Sequence, residues 1–158
     1  MKSKPASASA INDYVYQVFP NDLNSHRTVF GGRVMEIIDR VAGVVAQRHS
    51  GKLCVTRWVD SLCFLAPVKK GEHLIFKAAV NRVWNSSMEV GVKVFAENPL
   101  RGKQRHVVSA YLTFVALNQK HRPTKVMPVV PETDQEKRRY READERRQHR
   151  LKTKQNPR

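Results

Sequence analysis

The sequence predicts an α+β domain in which an antiparallel sheet wraps around one long helix. Residues 33–48 repeat their apolar side chains with the period of an α-helix. The segments that follow, up to residue 117, alternate apolar and polar residues as four or five strands. Short turns separate these strands, and short turns join antiparallel neighbours. One helix followed by a run of strands buries both apolar faces when the helix lies along the curved sheet.

Two elements are predicted before the run of strands. Residues 1–10 are small and polar, and we expect them to be disordered. A short strand covers residues 14–19, and a polar loop then leads to a Gly-Gly pair at 31–32. The helix that opens there ends at Ser50-Gly51, because glycine readily takes the left-handed conformation that closes a helix.

The strands are separated by turns rich in Gly, Pro and Asn. The last strand carries apolar residues on both faces, with Tyr111, Val115 and Leu117 on the second face. Apolar residues on both faces suggest that a second subunit covers part of the sheet. The predicted strands are residues 53–65, 74–81, 88–97 and 108–116.

The composition changes near residue 131. Thr133 and Glu136 form a capping box, and the helix that it starts is charged almost all round. Such a helix is either docked loosely or largely disordered, and a structural or solubility role fits it better than a specific binding role. The predicted organisation is a disordered tail at 1–10, one domain at 11–131 and a basic charged helix or tail at 132–158.

The formal net charge of the 158 residues is +15. Residues 132–158 contain ten basic and six acidic side chains, so most of the excess lies on the body of the domain. A charge of this size indicates an anionic partner, namely a nucleic acid, an anionic lipid or a phosphorylated small molecule. Its location on the body fits a phosphate-bearing ligand at least as well as a nucleic acid.

No apolar run is long enough to span a membrane, and the N-terminus lacks the apolar core of a secretory signal. We therefore expect no stable membrane insertion. Cys54 and Cys63 fall in apolar strands and are predicted to be buried free thiols, typical of a reducing compartment such as the cytoplasm. Two cysteines without a CxxC motif and six scattered histidines predict no metal site.

The Gly-Gly pair and one carboxylate form the candidate site. Amides in the first turn of a helix lack intrahelical partners, so Gly31 and Gly32 can bind an oxygen that carries negative charge. A Gly-Gly pair alone is more often a turn. Asp39 lies on a helix flank with small residues, where partial desolvation would make it a better base. The pattern alone favours a structural role for Asp39 instead, as the partner of a neighbouring arginine or of another chain.

Motifs of several other classes are absent. The sequence has no GxSxG elbow, no P-loop and no GxGxxG motif, and it shows no helix-turn-helix or zinc-finger spacing. For an enzyme, a carboxylate combined with a helix start is therefore the best available chemistry.

Several short motifs occur in the order and at the intervals of one known family. They are Asn21-Asp22-Leu23-Asn24, Val29-Phe30-Gly31-Gly32 with Asp39, Val55-Thr56, Asn85-Ser86-Ser87-Met88 and Thr113-Phe114-Val115-Ala116-Leu117. From about Asp13 to Pro131 the chain resembles the hotdog-fold acyl-CoA thioesterases. The resemblance implies a hotdog fold, dimers whose two sheets join, often assembled as a trimer of dimers, and an active site between subunits. It also implies that acyl-CoA and water give a fatty acid and free coenzyme A, with no separate cofactor.

The resemblance assigns the catalytic roles to three residues. Asp39 matches the family's catalytic acid, acting as general base on water or as nucleophile through a mixed anhydride. Asn24 matches the loop asparagine, which orients water or holds the thioester from the subunit opposite Asp39. The backbone N–H of Gly32 would polarise the thioester carbonyl. These assignments reverse the preference for a structural ion pair.

The resemblance also implies substrate contacts. Ser86 and Ser87 match a turn near the pantetheine and phosphates of coenzyme A, and Arg82 is a candidate phosphate partner or else an exposed strand residue. Many relatives carry glycine at the position of Arg27, so the course of this loop is open. The predicted substrate-binding residues are Phe30, Gly31, Thr56, Arg82, Ser86 and Ser87.

Two other functions are weighed against the enzyme. A non-catalytic sensor would bind acyl-CoA in the same pocket, but such hotdog proteins usually carry a DNA-binding segment, which we do not expect before Asp13. A nucleic-acid binder would need basic and aromatic residues on one face. Here the aromatic residues fall mainly in apolar strand patterns. The order of preference is therefore enzyme, sensor and nucleic-acid binder, and no nucleic-acid partner is expected.

Overall fold

The computed structural model describes residues 2–155. Within them, two short 3-10 turns, Ala6–Ala8 and Pro20–Asp22, accompany two helices and seven strands. The strands are β1 Lys4–Pro5, β2 Ile11–Gln17, β3 Leu53–Phe64, β4 His73–Val83, β5 Ser87–Asn98, β6 Lys103–Leu117 and β7 Val129–Val130, and the helices are α1 Gly31–Ser50 and α2 Asp134–Gln155. Neither helix of this described part combines the length and the apolarity that crossing a bilayer requires.

Five strands form one antiparallel sheet in the order β2-β4-β5-β6-β3. The helix α1 packs against the concave face of this sheet, where it contacts β3, β4, β5 and β6. β1 and β7 form a separate parallel pair. The α+β prediction, a sheet wrapped around one long helix, is confirmed.

The core forms where the apolar stripe of α1 meets the sheet. Ile38 and Val45 are completely buried there, as are Phe76 and Phe114 on the strands. Val44, which the helical pattern places near this stripe, is 42% exposed. The helix closes as predicted, because Gly51 takes a φ of 65° and donates its N–H to Gln47 at 2.8 Å.

The N-terminal segment is ordered, so the prediction of a disordered tail is wrong for residues 2–10; Met1 lies outside the described residues. Lys4–Pro5 pairs with Val129–Val130, and Ala6 is buried against the core. Ser9 is buried beside His49, with their Oγ and Nδ1 atoms 3.3 Å apart. The composition could not reveal this order, because the segment is held by partners that are distant in sequence.

The edge strand β3 is open in the single chain. Leu53, Val59 and Phe64 are each about half exposed. Cys63 is also exposed and Cys54 is only partly buried, so the prediction of two buried thiols fails where the strand has no neighbour. An exposed apolar edge of this length is typical of an interaction surface.

The helix α2 docks on the convex face of the sheet. Ala143 is completely buried there. The guanidinium carbon Cζ of Arg146 lies 3.7 Å from the centre of the Tyr111 ring. Around Tyr111 the second face of the sheet is thus covered by α2, whereas the sequence suggested a second subunit. Of the two alternatives for this charged segment, the docked helix is the one observed for residues 134–155.

Ion pairs rather than an apolar stripe hold α2 in place. Glu89 on β5 is completely buried and accepts two hydrogen bonds from Arg146, at 2.7 and 3.0 Å. Asn81 also donates to Glu89, at 2.9 Å. The register shift between Val80 and Arg82 directs two consecutive side chains, Asn81 and Arg82, toward α2, as a β-bulge does.

Candidate active site

Asp39 is held by the edge strand and not by an arginine. The hydroxyl of Thr56 on β3 donates to Oδ1 of Asp39 at 2.6 Å. Among residues 2–155, no protein donor contacts the second carboxylate oxygen. Arg40, the neighbour in sequence, pairs with Glu36 instead. The pair with a neighbouring arginine, one form of the structural role that the pattern favoured, is not observed among residues 2–155, and Asp39 presents one free oxygen at an exposed position.

The start of α1 presents two free amides. Phe30 is the N-cap residue and provides no side-chain cap. Within the described part of the chain, the N–H groups of Gly31 and Gly32 donate to no protein acceptor. A Cβ atom at Gly32 would lie 2.5 Å from the ring of Phe30, and one at Gly31 would lie 3.3 Å from Phe64. Glycine at both positions therefore lets the two aromatic rings lie close against the open helix start.

The loop before α1 is closed by the side chain of Asn24. Its Oδ1 accepts the N–H groups of His26 at 2.9 Å and Thr28 at 3.2 Å, and its Nδ2 donates to the Thr28 hydroxyl at 3.0 Å. Arg27 takes a φ of 62°, the left-handed conformation that glycine adopts most easily. Arginine thus follows the backbone course that a glycine would take, and one hydrogen of the Asn24 amide stays free to donate elsewhere.

Asp22 joins this loop to the start of the helix, a role that sequence reasoning missed. Its buried carboxylate accepts hydrogen bonds from the Tyr16 hydroxyl at 3.0 Å, the Phe19 N–H at 2.8 Å and Nε of Arg33 at 3.1 Å. Its backbone carbonyl accepts the Phe30 N–H at 2.8 Å. Its place inside the quoted asparagine motif was the available signal. The network fixes the position of Asn24 relative to the free amides.

A cavity of about 370 Å³ opens beside the helix start. Phe30, Gly32, Arg33 and Glu36 line it together with Asn21 and Asp22. The hydrogen bond from Arg33 holds the pKa of the Glu36 carboxyl below its usual range. The free amide of Gly32 therefore borders a concave space that could receive a carbonyl group.

The predicted phosphate contacts lie at the β4–β5 turn. The carbonyl of Ser86 accepts the N–H of Ala116 at 2.9 Å, and the carbonyl of Ser87 accepts that of Trp84 at 2.9 Å. Arg82 already has partners within the chain. Its Nη2 lies 2.8 Å from Oδ2 of Asp144, and its Cζ lies 3.8 Å from the centre of the Tyr140 ring. Arg82 contributes to the docking of α2.

One chain brings these groups together in two halves. The first half is Asp39 with Thr56, and the second is the helix start with the Asn24 loop. Gly32 and Asp39 are separated by two helical turns, roughly 10 Å along the axis. First-turn N–H groups also point out of the helix end, away from Asp39. The two halves of one chain therefore do not converge on a single carbonyl.

Comparisons with known proteins show which family has this fold and sequence. The model of the thioesterase superfamily matches residues 26–103. An acyl-CoA thioester hydrolase of Bacillus subtilis, described as uncharacterized, is 42% identical over 76% of this chain and 70% of the relative. The chain also matches the cytosolic acyl coenzyme A thioester hydrolase of the rat, but it spans only 34% of that protein.

Two solved structures share the fold over almost the whole chain. A crystal structure of an apo-hexameric acyl-CoA thioesterase has a TM-score of 0.95 and 33% identity, with all of both chains covered. An acyl-CoA hydrolase from Staphylococcus aureus, solved with butyryl coenzyme A, coenzyme A and coenzyme A disulfide, has a TM-score of 0.89 and 39% identity over 98% of this chain and 96% of that chain.

Solved variants of the Staphylococcus aureus enzyme replace an asparagine, an aspartate and a threonine by alanine. These three residues are spaced by 15 and then 17 positions, as are Asn24, Asp39 and Thr56 here. One family assignment follows from three findings. They are the sheet wrapped around α1, the sequence identity to these hydrolases and the coverage of their chains. The chain belongs to the acyl-CoA thioester hydrolases of the thioesterase superfamily, with the hotdog fold.

Proposed function

We propose that this protein hydrolyses the thioester bond of fatty acyl-CoA to a fatty acid and free coenzyme A. The observation that carries the proposal is the hydrogen bond from Thr56 to Asp39 at 2.6 Å. It orients an exposed carboxylate and leaves one oxygen free to accept a proton. The spacing shared with the residues replaced in the Staphylococcus aureus enzyme supports the same choice.

The complete site is formed by two subunits. Asp39 and Thr56 lie beside the open apolar edge of β3, which is the surface that a second sheet would cover. Because the helix start of the same chain does not reach Asp39, Gly32 and Asn24 of each site come from the opposite subunit. The working form is then a homodimer or a trimer of dimers, in line with the hexameric relative.

Hydrolysis follows from this composite site. The Gly32 amide donates to the thioester carbonyl and stabilises the negative charge that develops on its oxygen. Asp39 removes a proton from a water molecule, which attacks the carbonyl carbon. The free amide hydrogen of Asn24 orients that water or the carbonyl. When the tetrahedral intermediate collapses, the carbon–sulfur bond breaks and Asp39 returns the proton to the departing thiolate.

Asp39 acts here as a general base. Its Oδ1 is occupied by Thr56, so a single free oxygen can take the proton of water without moving the carboxylate. The alternative route through a mixed anhydride uses the same residues. Single-turnover hydrolysis in ¹⁸O-labelled water detects this route when water attacks the Asp39 carbonyl of the anhydride, since the label then enters Asp39, which the general-base route never labels.

Further residues contact the substrate outside the catalytic group. Phe30 and Gly31 flank the carbonyl position, and the Ser86–Ser87 turn lies near the pantetheine and phosphate end of the substrate. Coenzyme A is part of the substrate and product, so no separate cofactor is required. We place the protein in the cytoplasm, where its free thiols stay reduced and acyl-CoA is available.

The first test is release of coenzyme A from a panel of acyl-CoAs, from short to long acyl chains, by the wild-type protein. We expect hydrolysis with a clear optimum of chain length, measured as free thiol. Tight binding of acyl-CoA without release of thiol would contradict hydrolysis and favour the sensor. Absence of both binding and hydrolysis across the panel would exclude both functions.

A further inference from the structure

The strand that carries Thr56 contains two irregularities. The pairing of β3 with β6 shifts between Thr56 and Trp58 and again between Val59 and Ser61. Each shift adds one extra residue to β3, as a β-bulge does, and a bulge bends the strand and re-aims its side chains. Because β3 is an edge strand in the single chain, β6 holds it on one side only. Contacts from outside the sheet therefore help to decide how the bulges are held.

The first bulge turns Thr56 and Trp58 to opposite faces of the sheet. In a regular strand, residues two positions apart share a face. Here Thr56 lies opposite Phe114, a buried core residue on the face that α1 covers. Trp58 lies opposite Thr113 and faces α2. One short segment of β3 therefore contacts both helices, with Asp39 of α1 on one face and the end of α2 on the other.

The last turns of α2 hold this segment from the convex face. Nη1 of Arg150 lies 2.5 and 2.6 Å from the two carboxylate oxygens of Asp60, and these side chains are only 10% and 8% exposed. The centre of the Trp58 ring lies 6.0 Å from Cζ of Arg150 and 5.1 Å from Nζ of Lys154. Separating a nearly buried pair leaves a desolvated charge, so its geometry is strongly preferred. Arg150 thus contacts β3 at both bulges.

We propose that Arg150 is a positioning residue for the hydrolysis. Through Asp60 and Trp58 it fixes the bulged segment of β3. That segment in turn directs the Thr56 hydroxyl to Asp39 on the other face of the sheet. Arg150 itself touches neither the substrate nor the reacting atoms. The inference rests on the proposed function, because the orientation that it explains is the one that hydrolysis uses. It gives the charged helix α2 a part in activity.

The test is a double-mutant cycle between Arg150→Met and Thr56→Ala, measured as release of coenzyme A from acyl-CoA. Methionine keeps much of the arginine stem and removes the charge. We expect Arg150→Met alone to lower kcat about tenfold with KM retained, because the Asp39 carboxylate loses its orienting hydrogen bond. In the Thr56→Ala background, the same substitution should change kcat by less than about twofold, because that hydrogen bond is already absent.

Two further variants control this cycle. Arg141→Met is the matched control, since Arg141 is exposed on α2, and it should leave kcat unchanged in both backgrounds. Asp60→Asn removes the charge of the same pair from the strand side and keeps the size of the side chain. It should lower kcat in the same direction as Arg150→Met, and it replaces that variant in the cycle if Arg150→Met does not fold. Circular dichroism and oligomer mass verify each protein.

Two kinetic results would overturn the proposal. They are an unchanged kcat in Arg150→Met and an equal loss of kcat from Arg150→Met in both backgrounds, which would make Arg150 a structural residue.

Amide hydrogen exchange gives an answer that does not depend on activity. Residues 53–64 should exchange faster in Arg150→Met than in wild type, while β4 and β5 stay protected. Equal exchange of residues 53–64 in the two proteins would refute the proposal. If wild type hydrolyses no acyl-CoA, the proposed function fails by itself, and the exchange of residues 53–64 still decides whether Arg150 fixes the bulged segment.

Discussion

Replacing Asp39 with asparagine is expected to lower kcat for acyl-CoA hydrolysis by about 10²–10⁴-fold, the usual contribution of a positioned general base. The substitution keeps the size of the side chain and an oxygen that can accept the Thr56 hydrogen bond. It removes the charge and the ability to take a proton. The measurement is steady-state release of coenzyme A, with circular dichroism to verify the fold.

Asp13→Asn is the control for Asp39→Asn. Asp13 is an exposed carboxylate that pairs with Lys77 at the surface, and its loss should leave kcat nearly unchanged. Equal activity of Asp39→Asn and wild type would mean that Asp39 has only a structural role. The assignment of the carboxylate chemistry to α1 would then be wrong.

Replacing Arg146 with methionine should lower the free energy of unfolding by about 3–5 kcal/mol, as when one partner of a buried ion pair is removed. Glu89 is completely buried, and Arg146 supplies two of its hydrogen bonds. Without Arg146, the Glu89 carboxylate keeps Asn81 but loses its neutralising charge. The measurement is urea unfolding of the two proteins at matched concentration.

Arg138→Met is the matched control on the same helix. Arg138 makes an exposed pair with Glu142, of a kind that contributes less than about 1 kcal/mol. If Arg146→Met unfolds at the same urea concentration as Arg138→Met, the buried pair does not hold α2 on the sheet. Methionine retains much of the arginine stem, so a large loss would report the charge and not the packing.

The sequence predicted the elements whose signal is local. The 3.6-residue period of α1 and the alternation in β4, β5 and β6 arise because every second strand residue, or one stripe of the helix, faces the core, so the pattern alone reveals them. Two other features depend on partners that are distant in sequence. They are the ordered structure of Lys4–Pro5 and the docking of α2 on the sheet. The side chains of Glu89 and Asp60 pair with arginines of α2, and composition does not show which charges will pair.

The sequence predicted which residues belong to the candidate site, but not the hydrogen bonds that join them. The contact of Asp39 with Thr56 joins a helix to an edge strand, and no sequence period reports such a contact. Asp22 was part of a quoted motif, yet its buried network became visible only with Tyr16 and Arg33 in place. The prediction that both thiols are buried was wrong, because β3 is an edge strand in the single chain.

The structure also bears on the large positive charge. Several arginines of α2 stack on aromatic rings of the sheet, including Arg146 on Tyr111 and Arg147 on Trp84. These rings are therefore not open platforms for the bases of a nucleic acid. Part of the positive charge holds α2 on the domain, which weakens the nucleic-acid alternative.

The central claim is that each site combines Asp39 of one subunit with Asn24 of the other, and mixed oligomers test it most directly. Asn24→Asp keeps the oxygen that accepts the loop amides but removes the amide donor, and Asp39→Asn removes the base. Each variant alone should be nearly inactive. Co-assembled in equal amounts, they should recover about a quarter of wild-type activity, because half of the dimers then contain one intact site. Activity that stays at the level of the separate variants, with mixed dimers verified by mass, would contradict a site shared between subunits.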